Sequence, residues 1–556
     1  MVSSTFTKCL KETLLMKSRL GILSFCVLIA SFSAAADDDF GGFYFFPGNL
    51  VVSRSVYDNN PNNIPPGTIL PPDCAETQVA CPTTPAPYDG TYPFIFNNDS
   101  YDGSFGITSK IYLDQISPFG FTLNSLEVPN SSMNNIGATS DQLVTSFSSK
   151  SELSLHLSTD GKYLTFLGYV APVNALDVSN SNTPGAVDPT NPDGQKFLRA
   201  VAQVDQHGNF QFTETNAYSG DNGRAAILNN SNGANLYYTG GNAGNGSKKQ
   251  PAGVILGAGA QLIQPANESE VSQMPGSPTP VASFSVTELG APADKIGKDD
   301  NFRGLTIYNN VLYYVKGSGG NGVNTVYFVD TTGTACPNGV GLPAPGAALP
   351  TTPLSYNPAT LQTTGLPSNM CILSGFPSIP NSTATTTLYP FGLWFANANT
   401  LYVADEGDGY TGGTDLYTHA AAQTTAGLQK WVFDSSTKMW NLAYTLQNGL
   451  RLGTPYNIQG FPTGTNEATG LPWAPATDGL RNIAGKVDGF GLVTIWAITS
   501  TVSGNGDTGA DPNQLVAITD WLNNTNPKFA AFEIFFPVRT AGFAEVLRGV
   551  SFTPGS

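Results

Sequence analysis

The last ten residues of the chain, LRGVSFTPGS, hold one short strand-like run, Val550 to Phe552, stopped at once by Pro554 and Gly555. No partner lies near it in sequence. A terminal strand with free edges must be covered by another part of the chain, and this need constrains the fold more than any other feature. The rest of the chain has the same texture. Short runs with apolar/polar alternation and many β-branched or aromatic residues are separated by Gly, Asn, Pro, Ser and Thr, and helical periodicity is nearly absent. The 60 glycines and 40 prolines follow no collagen-like period and supply turns. The chain reads as all-β.

Grouped in fours, the strands repeat. One unit is ELSLHLSTDG, KYLTFLGYV, FLRAVAQVDQHG and NFQFTETN. The next begins GRAAILNN, ANLYYTGG and PAGVILGAG, and another FRGLTIYNN, VLYYVKGSG and NTVYFVDTTG. Two more read FGLWFANAN, TLYVADEGDG, GLQKWVFDSSTKMW, NLAYTL and then GLRNIAGKVDGFG, LVTIWAITS, NQLVAITDWLNN, KFAAFEIFFPV. Their first strands start near residues 152, 224, 303, 391 and 481, at spacings of 72, 79, 88 and 90. GNLVVSRSVY, KIYLDQI and FTLNSLEV near the start lack an inner strand, and LRGVSFT supplies it. The expectation is a single β-propeller over residues 40–555, closed by both chain ends in one blade. Six blades are expected. Seven is the alternative, with residues 259–300 or 331–388 hiding another sheet. Two Pro-rich inserts, 58–92 and 332–388, exceed ordinary loop lengths and are expected to decorate or cover the ring.

Residues 1–36 read as a secretory signal: Lys8, Lys11, Lys17 and Arg19, an apolar core, and small residues up to Ala36. Met16 begins an equally good, more compact signal. No later apolar run has spanning length, so no integral membrane segment is expected. The net charge of −16 argues against nucleic acid, which is bound by neutralising phosphates. Cys74, Cys81, Cys336 and Cys371 remain after the signal. In an oxidising compartment their proximity favours Cys74 with Cys81 and Cys336 with Cys371. Sequons at Asn98, Asn130, Asn229, Asn245, Asn267, Asn381 and Asn523 mark expected solvent-facing loops and candidate glycosylation sites.

Candidate chemistry is sparse. Arg224, Arg303, Arg481 and Arg548 stand at matching starts of inner strands, each before a small residue and an apolar run. Gathered at one mouth of the channel they suit a carboxylate, sulfate or phosphate. Equally, each can bridge neighbouring blades. Phe391 breaks the series in the blade with YPFGLWF. In LYVADEGDGY, the carboxylates make an oxygen-rich loop of the kind calcium prefers, with Asp405 and Asp408 as the ligands of choice. No other cofactor is indicated. Asp114, Asp205, Asp330, Asp434 and Asp520 each end an apolar run and are read as turn formers. The aromatics Tyr237, Tyr238, Tyr313, Tyr314, Trp394, Trp431 and Trp440 are read as inter-blade core. No catalytic motif appears: G-x-S-x-G, H-E-x-x-H and a phosphate loop are all absent.

TLYVADEGDG followed by GLQKWVFD resembles a strand pair of NHL-like and strictosidine-synthase-like propellers. GNLVVSRSV, LSTDGKYLTFLGY, NFRGLTIYNNVLYYV and VLRGVSFTPG together resemble a family of secreted β-propeller proteins over most of the chain. The resemblance implies a propeller outside the cell or in the cell wall and carries over no catalytic residue. The leading expectation is therefore an extracellular binding propeller for a glycan, cell-wall or matrix component. The rival is a secreted lyase- or isomerase-type enzyme acting on a small carboxylated molecule or acidic sugar. A structural coat or matrix protein is the third reading.

Overall fold

Strands that alternate apolar and polar residues need a neighbour against each apolar face. In the computed structural model they find it by standing six small antiparallel sheets around one axis, as a six-bladed β-propeller. The structure describes residues 42–68, 89–98, 106–133, 142–176, 178, 197–215, 217–218, 221–242, 259–265, 282–286, 301–317, 322–352 and 368–556. Phe45–Ser556 form one compact unit.

The first blade holds β1 (Leu50–Val56), β2 (Thr108–Ile116) and β3 (Thr122–Glu127), with β4 (Thr145–Ser146) paired to β2. The second holds β5 (His156–Leu157), β6 (Leu164–Tyr169), β7 (Arg199–Val204) and β8 (Phe210–Thr215). The third holds β9 (Gly223–Asn229), β10 (Leu236–Gly241), β11 (Ala260–Ile263) and β12 (Ala282–Val286). The fourth holds β13 (Gly304–Tyr308), β14 (Val311–Lys316) and β15 (Thr325–Val329), then β16 (Val340–Gly341) beside β17 (Ser368–Leu373). The fifth holds β18 (Pro390–Asn397), β19 (Thr400–Asp405), β20 (Gly427–Asp434) and β21 (Met439–Leu446). The sixth holds β22 (Ala476–Val487), β23 (Leu492–Val502), β24 (Gln514–Trp521) and β25 (Phe536–Thr540). The chain then returns to the first blade with β26 (Glu545–Phe552).

The terminal strand closes the ring as expected. Leu50 faces Phe552, Val51 faces Ser551 and Val52 faces Val550. The inner strands β26, β5, β9, β13, β18 and β22 each touch the next, and β22 touches β26 again. The described parts of 259–300 and 331–388 complete the third and fourth blades. Their outermost strands β12 and β17 run parallel to each other, which joins the two blades into one nine-stranded sheet.

The core lies between blades. Leu50, Val52, Ile498, Leu515, Leu547 and Val550 pack where the sixth blade meets the first. Val315, Phe328, Leu393, Phe395, Trp431 and Trp440 pack between the fourth and fifth. Of the expected core aromatics, Tyr237, Tyr238, Tyr313, Tyr314, Trp431 and Trp440 are buried. Trp394 is half-exposed.

Some local readings need correction. KFAAFEIFFPV is not one strand. The Asn526 side chain accepts from the backbone N–H of Lys528 and Pro527 takes the first helical position, so the run opens as a short helix before β25. This is the second of two helices among the described residues, α1 (Leu416–Ala422) and α2 (Pro527–Ala530). The third strand of the third blade is Ala260–Ile263, and most of PAGVILGAG lies outside the described residues. Asp205, Asp330 and Asp434 do form turns, accepting from the backbone N–H groups of His207 and Asn209, of Thr332 and Gly333, and of Ser436. Asp114 and Asp520 do not. Both sit inside strands as buried ion-pair partners, Asp114 with Arg54 and Arg539, Asp520 with Lys430.

Cys336 and Cys371 form the expected disulfide, with Cα atoms 5.9 Å apart, and it ties the second insert to β17. The Asp330 carboxylate is nearby, but the two sulfurs are bonded to each other and are not thiolate ligands. Cys74 and Cys81 lie outside the described residues. Among the described residues, no helix is long and apolar enough to cross a membrane.

Candidate functional site

The inner strands run along the axis, so their starts gather at one mouth of the channel and their ends at the other. The starts carry the charge. Arg303 and Arg548 each precede a glycine for a steric reason. A Cβ on Gly304 or Gly549 would meet a backbone carbonyl of the next inner strand, Phe391 and Leu153 respectively. The same holds for Gly392 after Phe391, which abuts the Arg481 carbonyl. The small residue lets neighbouring backbones approach, and the arginine before it fills the space at the mouth.

The four arginines divide into two pairs. Arg224 donates to the Phe302 carbonyl at 2.9 Å, to Asn222 at 2.8 Å and to Asn301, and so links the third blade to the fourth. Arg548 donates to the Gly509 carbonyl at 3.1 Å, to the Phe147 carbonyl and to Ser55 at 3.2 Å. These two bridge blades. Arg303 and Arg481 flank one carboxylate instead. The Glu406 oxygens lie 3.9 Å from Arg303 Nε and 3.2 Å from Arg481 Nε. The Phe391 ring, in the position where the series lacks an arginine, faces both guanidiniums at 5.8 and 5.9 Å.

All four arginines are buried. Burial, then Arg303, pulls Arg224 down, and burial, then Arg481, pulls Arg548 down; from so high an ordinary value both stay charged at neutral pH. Burial opposes the charge on Glu406, but Lys150, Arg303 and Arg481 together hold its carboxyl below the usual range. Glu406 is the strongest influence on Lys150 and pulls it up, while burial and the two arginines outweigh it and leave Lys150 lowered. Asp507 accepts from Gly509 N–H at 2.7 Å and is raised chiefly by burial. Two guanidinium nitrogens here, Arg303 Nε and Arg548 Nη1, are buried without an acceptor.

The carboxylates of LYVADEGDGY have different hydrogen-bond partners. Asp405 turns inward to Tyr389 N–H at 2.9 Å and Gly407 N–H at 3.0 Å, and burial raises it to about 6. Glu406 faces the axis. Asp408 is on the outside, 2.6 Å from His419. A missed residue, Asp478, joins this loop by accepting from Gly409 N–H at 2.9 Å, and burial raises it to about 7. The sequence repeats a short pattern after these strands. Gly-Asn-Gly or Gly-Asp-Gly follows the second strand of four blades, at 244–246, 320–322, 407–409 and 504–506.

The opposite mouth is an open funnel with a volume of about 890 Å³. Among the described residues that line it, none is Asp, Glu, Lys or Arg. Asn229, Asn309, Asn310 and Ser551 contribute polar groups, and Trp394 and Phe552 contribute aromatic surface. Asn309 and Asn310 form the β13–β14 turn, both with positive φ, a turn that suits Asn. Ala348, Leu349 and Thr351 of the second insert reach the rim, where Tyr238 donates to the Pro350 carbonyl at 2.8 Å. His156 is the one titratable side chain of the lining, and burial pushes its imidazole down to about 4. Ser154 Oγ donates to Asn482 at 2.8 Å and lies 2.9 Å from His156 Nε2. The serine has only one proton, so His156 Nε2 carries the other and Nδ1 is left as an acceptor.

The sequons fall in different settings. Asn523 is exposed, and Asn381 is half-buried. Asn130 and Asn229 are buried, because each closes its own turn: the Asn130 oxygen accepts from Ser132 N–H at 3.0 Å and the Asn229 oxygen from Ser231 N–H at 3.4 Å. Asn245, Asn267 and the side chain of Asn98 lie outside the described residues.

No protein-family model matches the chain, and no curated protein matches it in sequence. Among solved structures, the extracellular domain of BT4673 from B. thetaiotaomicron is similar at 9% sequence identity and a TM-score of 0.27. The match covers 71% of this chain and 31% of that one.

Proposed function

We propose that the protein is an extracellular binding propeller and that its ligand is a neutral part of a glycan seated in the funnel. The observation that carries this reading is a large concave site without one charged lining residue, on a chain whose net charge is −16. A neutral sugar presents hydroxyls and flat C–H faces. Amides and hydroxyls suit the first and an indole face suits the second. Asn309, Asn310 and Ser551 would meet the hydroxyls, and Trp394 the C–H face. The rival enzyme would need an acid–base pair near the ligand, and the funnel lining offers only a neutral histidine. The extracellular setting is supported by the Cys336–Cys371 disulfide and the signal-like first 36 residues.

Calorimetry against neutral and acidic oligosaccharides tests the reading. A neutral member should bind, and Trp394→Ala should weaken it about tenfold, or about 1.4 kcal/mol. Asn310→Gly tolerates the left-handed turn and removes only the amide, so it should weaken binding without loss of fold. Absence of binding across the neutral panel, or a hit indifferent to both variants, overturns the proposal. Turnover of a bound sugar would make the protein an enzyme.

A second reading rests on the unpartnered nitrogens of Arg303 and Arg548 at the charged mouth. They favour a small carboxylate, sulfate or phosphate beside Glu406. Arg303→Lys and Arg481→Lys keep the charge but lose the two-pronged contact. Anion affinity equal in both variants and the parent would end that reading, and so would its absence from the parent.

A further inference from the structure

Between the fifth and sixth blades lies a polar group that neither mouth uses. Lys430 on β20 and Asp520 on β24 are 3.0 Å apart, Nζ to Oδ2, and both side chains are wholly shielded from solvent. Lys430 Nζ also donates to the Trp521 carbonyl at 2.7 Å and to Tyr444 Oη at 3.0 Å. Tyr402 and Tyr444 donate their hydroxyls to the two Asp520 oxygens, at 2.5 and 2.8 Å. Both reacting groups are thus fixed in position, and the carboxyl has a donor on each oxygen.

Glu533, just after α2, completes the set. Its hydrogen-bond partner is the Asp520 carboxyl. The Asn524 side chain is a second partner, and the Glu533 Oε2 atom is buried. Two carboxyl groups in such contact must share a proton. Burial, then Asp520, pushes Glu533 up to about 8, while burial pulls Lys430 down.

We infer that the folded chain joins Lys430 to Asp520 through an amide bond between its fifth and sixth blades, with Glu533 carrying the proton. Nζ passes one proton to an Asp520 oxygen, its lone pair attacks Cγ, and the N–C bond forms. The two tyrosine hydroxyls stabilise the charge that develops on the carboxyl oxygens. One Cγ–O bond then breaks, and the oxygen leaves as water with a proton that Glu533 relays from Nζ. An acid and an amine become an amide and a water, so no oxidant or other reactant is needed. The geometry replaces chance encounter by held contact. The product also removes two buried charges, whose desolvation opposes the ion pair.

Peptide mapping by mass spectrometry on the full chain, denatured and reduced, tests this. A branched peptide should unite the segments containing Lys430 and Asp520, lighter than their sum by one water. Glu533→Gln should keep the parent's circular dichroism and lose the branched peptide or form it at least tenfold more slowly. Two linear peptides of full mass in the parent protein would mean an ion pair only and overturn the inference. An undiminished branched yield in folded Glu533→Gln would overturn the role given to Glu533.

Discussion

The two mouths of the axial channel are built by the same six strands, a few residues apart, and are chemically opposite. At the starts, Arg303, Phe391 and Arg481 surround Glu406, with Lys150 and Asp507 close by, and the arginines are shut away from solvent. At the ends, a funnel of about 890 Å³ lies open and carries no charged lining residue. The residues between are small, such as Gly304, Gly392 and Gly549, because the backbones there run against each other. The difference separates two duties. A charge cluster buried on the axis links blades but is costly to disturb. An uncharged cavity has little to do for the ring and is free to be shaped for a ligand.

The severest way to break the comparison is to open the ring, which should ruin both mouths together. Deleting residues 546–556 removes most of β26, including the buried Val546, Leu547 and Val550, and exposes the edge of β1. The loss should be about 5 kcal/mol or more at ordinary burial energies. Thermal melting should show a large drop in Tm or no folded baseline. An unchanged transition would mean that closure by both chain ends contributes nothing.

A single substitution should separate the mouths. Glu406→Gln leaves two buried guanidiniums without their shared counter-charge. That should cost about 3–5 kcal/mol, since removing one partner strands the others. Any ligand of the funnel should bind the folded fraction with unchanged affinity. If Glu406→Gln melts like the parent, the charged mouth is not a structural knot. If it alters funnel binding, the two mouths are coupled.

Much of the ring was legible in the sequence. The six strand starts and the Cys336–Cys371 bridge follow from alternation, spacing and proximity along the chain, and the β26–β1 pairing from a terminal strand with no neighbour and a first blade without an inner strand. The repeated Asp at strand ends was legible only where its partners are local, as at Asp205 and Asp330. Asp520 looks the same in sequence, yet its partner Lys430 is ninety residues away on another blade. The arginine series was visible, but its division into bridging and Glu406-facing pairs depends on cross-blade distances. The funnel left no motif at all. It is made of turn asparagines and strand ends that each look ordinary, and only their assembly around the axis makes a site.

The mildest test uses pH, because one mouth titrates near neutrality and the other does not. Burial raises Asp405 to about 6, and Asp478 and Asp511 to about 7, from an ordinary 3.8. Between the unfolded and folded values, the native chain holds protons that the unfolded chain has released. The stability linked to these groups is therefore fully present below about 3.8 and is lost as pH rises through 6 and 7. His419, raised first by its hydrogen bond to Asp408, acts with the same sign. Asp114 and Glu406, both lowered overall, act with the opposite sign, but in a window below their ordinary values of 3.8 and 4.5. Melting at pH 5 should thus exceed melting at pH 8 by several degrees, and Asp478→Asn should shrink that gap. Funnel affinity should stay flat across the same range, because His156 is neutral at any pH well above 4. A Tm that rises with pH would contradict the buried acids. An affinity that follows the Tm would show that the funnel senses the charged mouth, and the separation of duties between them would fail.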